Sequence, residues 1–295
     1  MSYLIGLDVG TTGAKALLIE SNGDVKASVT EEYSTHMPQP LWAEQNPGDW
    51  WSASADAIRQ LLQQTGVSSG DVSGVGLTGQ MVGLVALDEQ GKPVRPCIMW
   101  NDQRSGPQCE AITEQLGFQR LMELTSNPVM PGFVAPKILW VRKHEPRAYE
   151  RIAHVLLPKD YVRFRLTGEY ATEVSDASGT SLFDVVHREW SHGMMEALEI
   201  PPEWFPPCYE SPEVTGTVNA HAAEATGLRA GTPVVGGAGD QPAQAIGSGI
   251  VEPGLVSVTT GTSGVVFATT GGPAVHPEGL LHSFCHAVPA VWYLM

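Results

Sequence analysis

The sequence predicts a mixed α/β protein that contains one complete domain and the start of a second. Three observations support this fold class. Short apolar runs separated by glycine turns open the chain, an amphipathic helix pattern follows, and later strand patterns alternate with further helix patterns. The 295 residues are enough for about two domains of ordinary size.

The first three strands are predicted at residues 3–9, 14–20 and 25–30. Gly10-Thr11-Thr12-Gly13 separates the first two, and Asn22-Gly23 separates the second and third. Because Asn-Gly between two apolar runs is a strong hairpin signal, we expect the chain to open with a three-stranded antiparallel meander.

A helix is predicted to follow Asn46, which suits an N-cap, while Pro47 suits the first helical position. Apolar residues then recur at helical spacing as far as Leu62. The same reasoning predicts strands at 72–77, 82–87 and 233–236, helices at 105–116, 136–143 and 158–166, and a hairpin formed by 255–260 and 265–269.

The composition excludes several classes of function. The formal net charge of −15 makes the chain a poor general binder of nucleic acids or anionic membranes. No apolar run reaches the length of a membrane-spanning helix, and the N-terminal residues lack the pattern of a secretory signal. The four cysteines form no CxxC pair, so we expect free thiols and a cytoplasmic protein.

Residues 4–19 and 255–269 share one pattern: an apolar strand, a turn of glycine and hydroxyl residues, and a second apolar strand. Chance is one explanation. The other is two related domains, each presenting a phosphate-binding turn to a shared cleft. We place the boundary so that the units are 1–235 and 236–295, and we expect the given chain to be part of a longer one.

The first motif with evident chemistry runs from Asp8 to Lys15. Its glycines, Gly10 among them, let backbone N–H groups approach an anion closely, and Thr11 and Thr12 add hydroxyl donors. Lys15 can add positive charge, and Asp8 is an acceptor suited to hold Mg²⁺. The alternative is an ordinary hairpin with an aspartate beside its turn.

Two further motifs follow late in the chain. Gly236-Gly237-Ala238-Gly239 leads into Asp240, which is either a helix cap or a general base for phosphoryl transfer. The turn of Gly261, Thr262 and Ser263 repeats the anion-binding chemistry of the first motif, and its alternative is a polar hairpin turn.

In this order, D-x-G-T-T, G-G-x-G-D and T-G-T-S-G, the motifs resemble those of the FGGY carbohydrate kinases, which belong to the sugar kinase/heat-shock 70/actin superfamily. Segments 41–45, 79–81, 98–102, 130–137 and 157–161 are also similar to kinases of this family. The resemblance implies an actin-like, ribonuclease H-like ATPase fold with one complete sugar-binding domain and an incomplete nucleotide-binding domain. It implies ATP-dependent phosphorylation of a small sugar, D-xylulose to D-xylulose 5-phosphate.

The resemblance also implies a role for each motif. Asp240 would be the catalytic base, and Asp8 would organise Mg²⁺. The residues expected to hold ATP are Asp8, Gly10, Thr11, Thr12, Lys15, Gly261, Thr262 and Ser263. Those expected to line the sugar pocket are Gln80, Met81, Trp100, Asp102 and Gln241. The expected partners are the sugar and ATP, with no nucleic acid and no membrane; the oligomeric state is open, a homodimer being one expectation.

Two departures from the family's pattern fall at the sugar end. Val82 replaces a histidine that similar kinases often carry, and Gln241 replaces an asparagine. These changes keep ribulose, xylitol and glycerol open as substrates. The sequence is also compatible with a sugar-binding fragment without turnover. An ATP-driven chaperone-like or filament-forming protein would share the phosphate turns, but it would not need the sugar-pocket segments.

Overall fold

A computed structural model describes residues 2–260 and 264–295 and shows a mixed α/β fold, as predicted. The strands are β1 (Tyr3–Val9), β2 (Gly13–Glu20), β3 (Val25–Glu32), β4 (Glu44–Gln45), β5 (Val72–Gly79), β6 (Val85–Leu87), β7 (Cys97–Ile98), β8 (His154–Leu156), β9 (Thr172–Glu173), β10 (Phe183–Asp184), β11 (Glu189–Trp190), β12 (Cys208–Tyr209), β13 (Val214–Thr217), β14 (Pro233–Val235), β15 (Ala238–Gly239), β16 (Val256–Thr260), β17 (Gly264–Thr270), β18 (Ser283–Cys285) and β19 (Trp292–Leu294).

The helices are α1 (Pro47–Thr65), α2 (Gly106–Leu116), α3 (Phe118–Thr125), α4 (Val134–His144), α5 (Pro146–Tyr149), α6 (Pro158–Thr167), α7 (Val174–Ala177), α8 (His192–Ala197), α9 (Ala220–Thr226) and α10 (Asp240–Gly247), with 3₁₀ turns at Ser69–Asp71, Ser178–Thr180 and Pro202–Trp204. Within the described ranges, no helix is both long and apolar enough to cross a bilayer.

The central sheet has the strand order β13-β14-β5-β1-β2-β3, with β15 also pairing with β5. β1, β2 and β3 are antiparallel, whereas β5 runs parallel to β1 and β14 runs parallel to β5. Three antiparallel strands extended by parallel strands on the far side of β1 make the ribonuclease H-like sheet of the actin-like ATPase fold, which confirms the predicted fold class.

Local signals place the first elements where the sequence predicts them. The Asn46 side chain accepts a hydrogen bond from the Gly48 N–H at 3.1 Å, and Pro47 begins α1. Gly66, with φ of 66°, ends the helix, because glycine takes this left-handed conformation at little cost. The apolar face of α1, including Trp50 and Ile58, is buried against the sheet.

The two faces of the central sheet differ. Ile5, Leu7 and Val9 point into a core shared with α1, α6 and α9. Because side chains alternate along a strand, Gly6 and Asp8 lie on the opposite face, which is only half-buried. The sheet therefore presents Asp8 on the face that its main core leaves open.

Strands β16 to β19 form a second sheet, in the order β16-β17-β19-β18. Its Phe267, Phe284 and Tyr293 belong to the same apolar core as Phe133 and Leu121. The described part of the predicted second unit is thus packed against the first. The proposed boundary between residues 235 and 236 stays a prediction.

One predicted strand is partly wrong. The apolar run 82–87 forms a strand only at Val85–Leu87, because Val82 has a φ of 55°. That left-handed conformation is rare for a β-branched residue and ends any extended strand there. Residues 80–83 instead form a turn that follows β5.

Candidate active site

Three of the predicted site residues, Asp8, Gln80 and Asp240, lie at one edge of the central sheet. Asp8 lies opposite Thr78 of β5, and Thr78 in turn lies opposite Ala238 of β15. The chain continues from β5 into Gln80 and from β15 into Asp240. Since these three strands are parallel, their carboxyl ends bring Asp8, Gln80 and Asp240 to the same edge, where α/β sheets commonly bind ligands.

Asp8 has the environment of a cation ligand. Burial raises the pKa of its carboxyl, and the charge of Lys15, directly opposite on β2, acts against that rise. Its Oδ1 and the Oγ1 of Thr78 are buried and have no hydrogen-bond partner among the described residues. A cavity of about 450 Å³, lined in part by Asp8, Lys15, Thr78 and Gly237, opens beside them. An unpaired carboxylate oxygen next to this cavity fits Mg²⁺, which is bound through one or two carboxylates and substrate phosphates.

The first glycine turn is held in place by the sugar-side residues. The Gly10 N–H donates to the Gly13 carbonyl at 3.1 Å. Gln45 donates from Nε2 to the Thr11 carbonyl at 2.7 Å, and Trp100 donates from Nε1 to Thr11 Oγ1 at 3.2 Å. Thr11 therefore connects the predicted phosphate turn to the predicted pocket wall. Gly261, Thr262 and Ser263, predicted to form the second phosphate turn, lie outside the described residues.

Asp240 is the first residue of α10, and Gly239 occupies the cap position before it. Burial raises the pKa of Asp240 to about 6, with hydrogen bonds from Gln241 lowering it and the negative charge of Asp8 raising it. A carboxylate with a pKa near neutrality is a better proton acceptor than an ordinary aspartate. A raised pKa is compatible with the predicted role of Asp240 as a general base, which stays a prediction, and Gln241 lies beside it.

Gln80 and Met81 follow β5, the strand that pairs with both β1 and β15. Gln80 is 2% exposed and donates from Nε2 to Gln45 Oε1 at 2.9 Å, while its own Oε1 has no partner in the described part of the chain. A Cβ on Gly239 would lie 2.7 Å from Cγ and Sδ of Met81, so the strand before Asp240 packs directly on Met81. The turn after β5 therefore contacts the strand that leads into Asp240.

Trp100 and Asp102 occupy different positions. Trp100 is 47% exposed and offers an aromatic surface. Asp102 is fully buried, accepts the Ala43 N–H at 2.6 Å and forms an ion pair with Arg104 at 2.8 Å. Both oxygens of Asp102 accept hydrogen bonds from these groups. Asp102 therefore connects the segment that carries Trp100 to Ala43 and Arg104 in this structure. Its role as a sugar ligand stays a prediction.

Sequence reasoning missed a buried charge cluster behind the site. The Lys159 ammonium lies 2.8 Å from Asp160, 3.3 Å from Glu173 and 3.5 Å from Asp176, and all four side chains are fully buried. Burial raises the pKa of Asp176 to about 8, against the opposing charge of Lys159. The available signal was the presence of charged residues inside the apolar stretches around 159 and 173–176.

Ser175 connects this cluster to the backbone just before Asp240. Its hydroxyl donates to Glu173 Oε1 at 2.9 Å and accepts the Gly239 N–H at 3.0 Å. Glu173 also accepts the Ser211 hydroxyl at 2.7 Å. The backbone immediately before Asp240 is therefore fixed by a hydrogen-bonded chain that begins at a buried carboxylate.

Residues 3–247 match the N-terminal domain of the FGGY family of carbohydrate kinases. The chain belongs to this family. A xylulose kinase of Escherichia coli (strain K12) is 44% identical over 291 residues, which are 99% of this chain and 59% of that protein. A xylulose kinase of Bacillus subtilis (strain 168) is 39% identical over 295 residues, covering 100% of this chain and 59% of that protein.

A solved structure of a related kinase is also similar to this chain. The crystal structure of a xyloylose kinase from Brucella ovis superposes with a TM-score of 0.91 at 40% identity, covering 99% of this chain and 59% of that one. The FGGY chain thus spans about three fifths of the length of the relatives it matches.

Proposed function

We propose that this FGGY chain is part of an ATP-dependent sugar kinase that converts D-xylulose to D-xylulose 5-phosphate in the cytoplasm. The observation that carries the proposal is the pairing of two carboxylates at one sheet edge. Asp8 has an unpaired oxygen beside a cavity, and Asp240 has a pKa raised to about 6 beside the Gln80–Met81 turn. The similarity to xylulose kinases over the whole chain supports the choice of sugar.

Each group of residues is proposed to have a different role in phosphoryl transfer. Asp240 accepts the proton of the attacking sugar hydroxyl as its oxygen bonds to the γ-phosphorus of ATP and the bond to ADP breaks. Asp8 would hold Mg²⁺, which supplies charge neutralisation for the phosphates when bound. The turn of Gly10, Thr11 and Thr12 offers N–H and hydroxyl donors to the same phosphates.

The sugar pocket is proposed to contain Gln80, Met81, Trp100 and Gln241. The unpaired Oε1 of Gln80 can accept from a sugar hydroxyl, and the exposed face of Trp100 can cover C–H groups. Val82 places an apolar side chain where similar kinases often carry histidine. That observation keeps L-ribulose, xylitol and glycerol as alternative substrates, to be tested side by side.

The proposal is tested by calorimetric titration with D-xylulose, L-ribulose, xylitol and glycerol, using wild type, Gln80→Ala and the exposed control Gln90→Ala. We expect D-xylulose to bind best. Gln80→Ala should weaken binding about tenfold, because a hydroxyl partner is lost, and Gln90→Ala should have no effect. Equal D-xylulose affinity in wild type and Gln80→Ala would contradict the assignment of Gln80 to the sugar pocket.

Turnover is followed as sugar-dependent release of ADP. Asp240→Asn should lower kcat about 10³-fold while sugar affinity changes little, because the proton acceptor is removed and its shape kept. ATP hydrolysis at the same rate with and without sugar would overturn the kinase assignment and favour a chaperone-like ATPase. Sugar binding without any turnover would identify the chain as a sugar-binding fragment.

A further inference from the structure

Val82 has an unfavourable backbone conformation in the middle of the proposed sugar-binding turn. Its φ is 55°, and it is a β-branched residue, for which this left-handed region is strongly disfavoured. The residue is buried. A Cβ added to Gly179 would lie only 2.5 Å from Val82 Cγ1, so Val82 packs tightly against the backbone of Gly179. Such strain persists only where the surrounding structure enforces it, and it concentrates at functional sites.

Two buried ionisable side chains bind the two backbone polar groups of Val82. The Val82 N–H donates to Asp176 Oδ1 at 3.0 Å, and the Val82 carbonyl accepts from Lys137 Nζ at 2.8 Å. Both polar groups of this one residue are therefore satisfied by side chains far from it in the sequence, 55 residues away for Lys137 and 94 for Asp176.

Lys137 also connects the turn to the aromatic wall. Its Nζ donates to the Gly132 carbonyl at 2.6 Å, and a Cβ on Gly132 would lie 2.6 Å from the Trp100 carbonyl oxygen. The segment around Gly132 is thus packed directly on the backbone of Trp100. The Nζ of Lys137 therefore bridges the Val82 turn and the segment that packs on Trp100.

The burial of these two side chains is costly. Lys137 and Asp176 are both fully buried, and burial lowers the pKa of Lys137 to about 7. The hydrogen-bond partners of Lys137 are neutral carbonyls, so no adjacent carboxylate compensates it within hydrogen-bond distance in the described part of the chain. Burial without a paired carboxylate favours the neutral amine, whose N–H groups can still donate to both carbonyls.

We propose that Lys137 and Asp176 are positioning residues that hold Val82 in its left-handed conformation and thereby fix Gln80 and Met81 in the geometry that binds the sugar. The sugar part of this inference rests on the proposed function. The contacts of Lys137 and Asp176 with the Val82 backbone, called the Val82 clamp from here on, concern the turn alone. The clamp can therefore be tested without any ligand.

The first experiment compares Lys137→Met, which keeps an unbranched side chain but removes the amine, with Lys143→Met, a change at an exposed lysine on the same helix. Hydrogen exchange of the amides of residues 82 and 83 and the calorimetric Kd for D-xylulose are measured on each. Lys137→Met should speed exchange about tenfold and weaken sugar binding about tenfold, and Lys143→Met should change neither. Unchanged exchange in Lys137→Met would overturn the proposal.

The second experiment separates positioning from general stability. Glycine adopts the left-handed conformation without strain, so Val82→Gly should make the clamp less necessary. In the background of Val82→Gly, Lys137→Met should weaken D-xylulose binding by no more than about threefold. An equal loss of affinity in both backgrounds, accompanied by equal losses in thermal stability, would show a purely structural role and overturn the proposal.

Asp176 is tested by Asp176→Ala and Asp176→Asn. Asparagine keeps an acceptor oxygen for the Val82 N–H, whereas alanine removes it. Fast exchange at residue 82 in the alanine variant and near wild-type exchange in the asparagine variant support the clamp, and equal exchange in the two contradicts it. If wild type binds none of the sugars, the proposed substrate is wrong, while the exchange results still decide the clamp.

Discussion

The surroundings of Asp240 change its acid–base chemistry. Burial and the charge of Asp8 raise its pKa to about 6, although hydrogen bonds from Gln241 oppose them. A base must be ionised to accept a proton. We therefore expect kcat/KM for sugar phosphorylation to fall about tenfold per pH unit below about pH 6, and to be level just above it. An inflection near pH 4, the value of an ordinary aspartate, would contradict the raised pKa.

The same carboxylate should make the folded state less stable at neutral pH. A folded-state pKa above the unfolded value means that the stability contributed by this group is present below about pH 4 and lost as pH rises through about 6. Asp240→Asn removes the buried charge. It should raise the free energy of unfolding at pH 8 by about 1–2 kcal/mol, and the gain should shrink towards pH 4. Urea unfolding at both pH values measures this, and an equal difference at both would exclude the buried charge as its cause.

At the scale of single elements, the sequence predicted what local signals determine. Asn22-Gly23 specified the turn between β2 and β3, and Asn46 with Pro47 specified the start of α1, because caps and tight turns depend on a few adjacent residues. The strand predicted from Val82 was wrong at its start. The conformation of Val82 depends on Lys137 and Asp176, and the sequence alone does not show that these lie next to it.

The short strand β15 should depend on Ser175 for its position. Ser175→Ala leaves the buried Gly239 N–H without its acceptor, which should cost about 1–3 kcal/mol of stability and displace Asp240. Because Asp240 is proposed to act in the chemical step, we expect kcat to fall more than sugar affinity.

Ser178→Ala is the matched control for Ser175→Ala. Ser178 is also buried, and it accepts the Cys285 N–H at 3.0 Å instead of a group next to Asp240. Ser178→Ala should lower the free energy of unfolding by a similar amount but lower kcat much less. Equal losses of kcat in the two variants would indicate general destabilisation.

At the scale of the whole molecule, the family resemblance carried by the three glycine motifs predicted the fold class, which is confirmed, and the roles of Asp8 and Asp240, which stay predictions. Asp8 lies near the end of β1, Asp240 directly follows β15, and both strands pair with β5, so the topology itself brings the two carboxylates to one edge. The cluster around Lys159 could not be predicted in this way. Charged residues are usually exposed, and only the folded chain shows that Asp160, Glu173 and Asp176 surround this lysine in the interior.

The predicted boundary at residues 235 and 236 raises the question of whether the described chain unfolds in one step. Asn127 donates from Nδ2 to the Ser283 carbonyl and accepts the Ser283 N–H, both at 2.8 Å, and both residues are buried. Asn127→Ala removes the side chain that satisfies these two groups of β18. We expect it to lower the free energy of unfolding by about 2–4 kcal/mol, and the exposed control Asn101→Ala to change it by less than about 0.5 kcal/mol.

Because Phe267, Phe284 and Tyr293 share one core with residues of the first unit, urea unfolding of wild type should be a single transition. Asn127→Ala should shift the midpoint of that transition and leave it single, since the lost contacts and the core that remains belong to the same cooperative unit. Tryptophan fluorescence and circular dichroism should then give the same midpoint. Two separate transitions, with only one of them shifted by Asn127→Ala, would show that the C-terminal sheet unfolds independently and would favour the predicted boundary over a single cooperative unit.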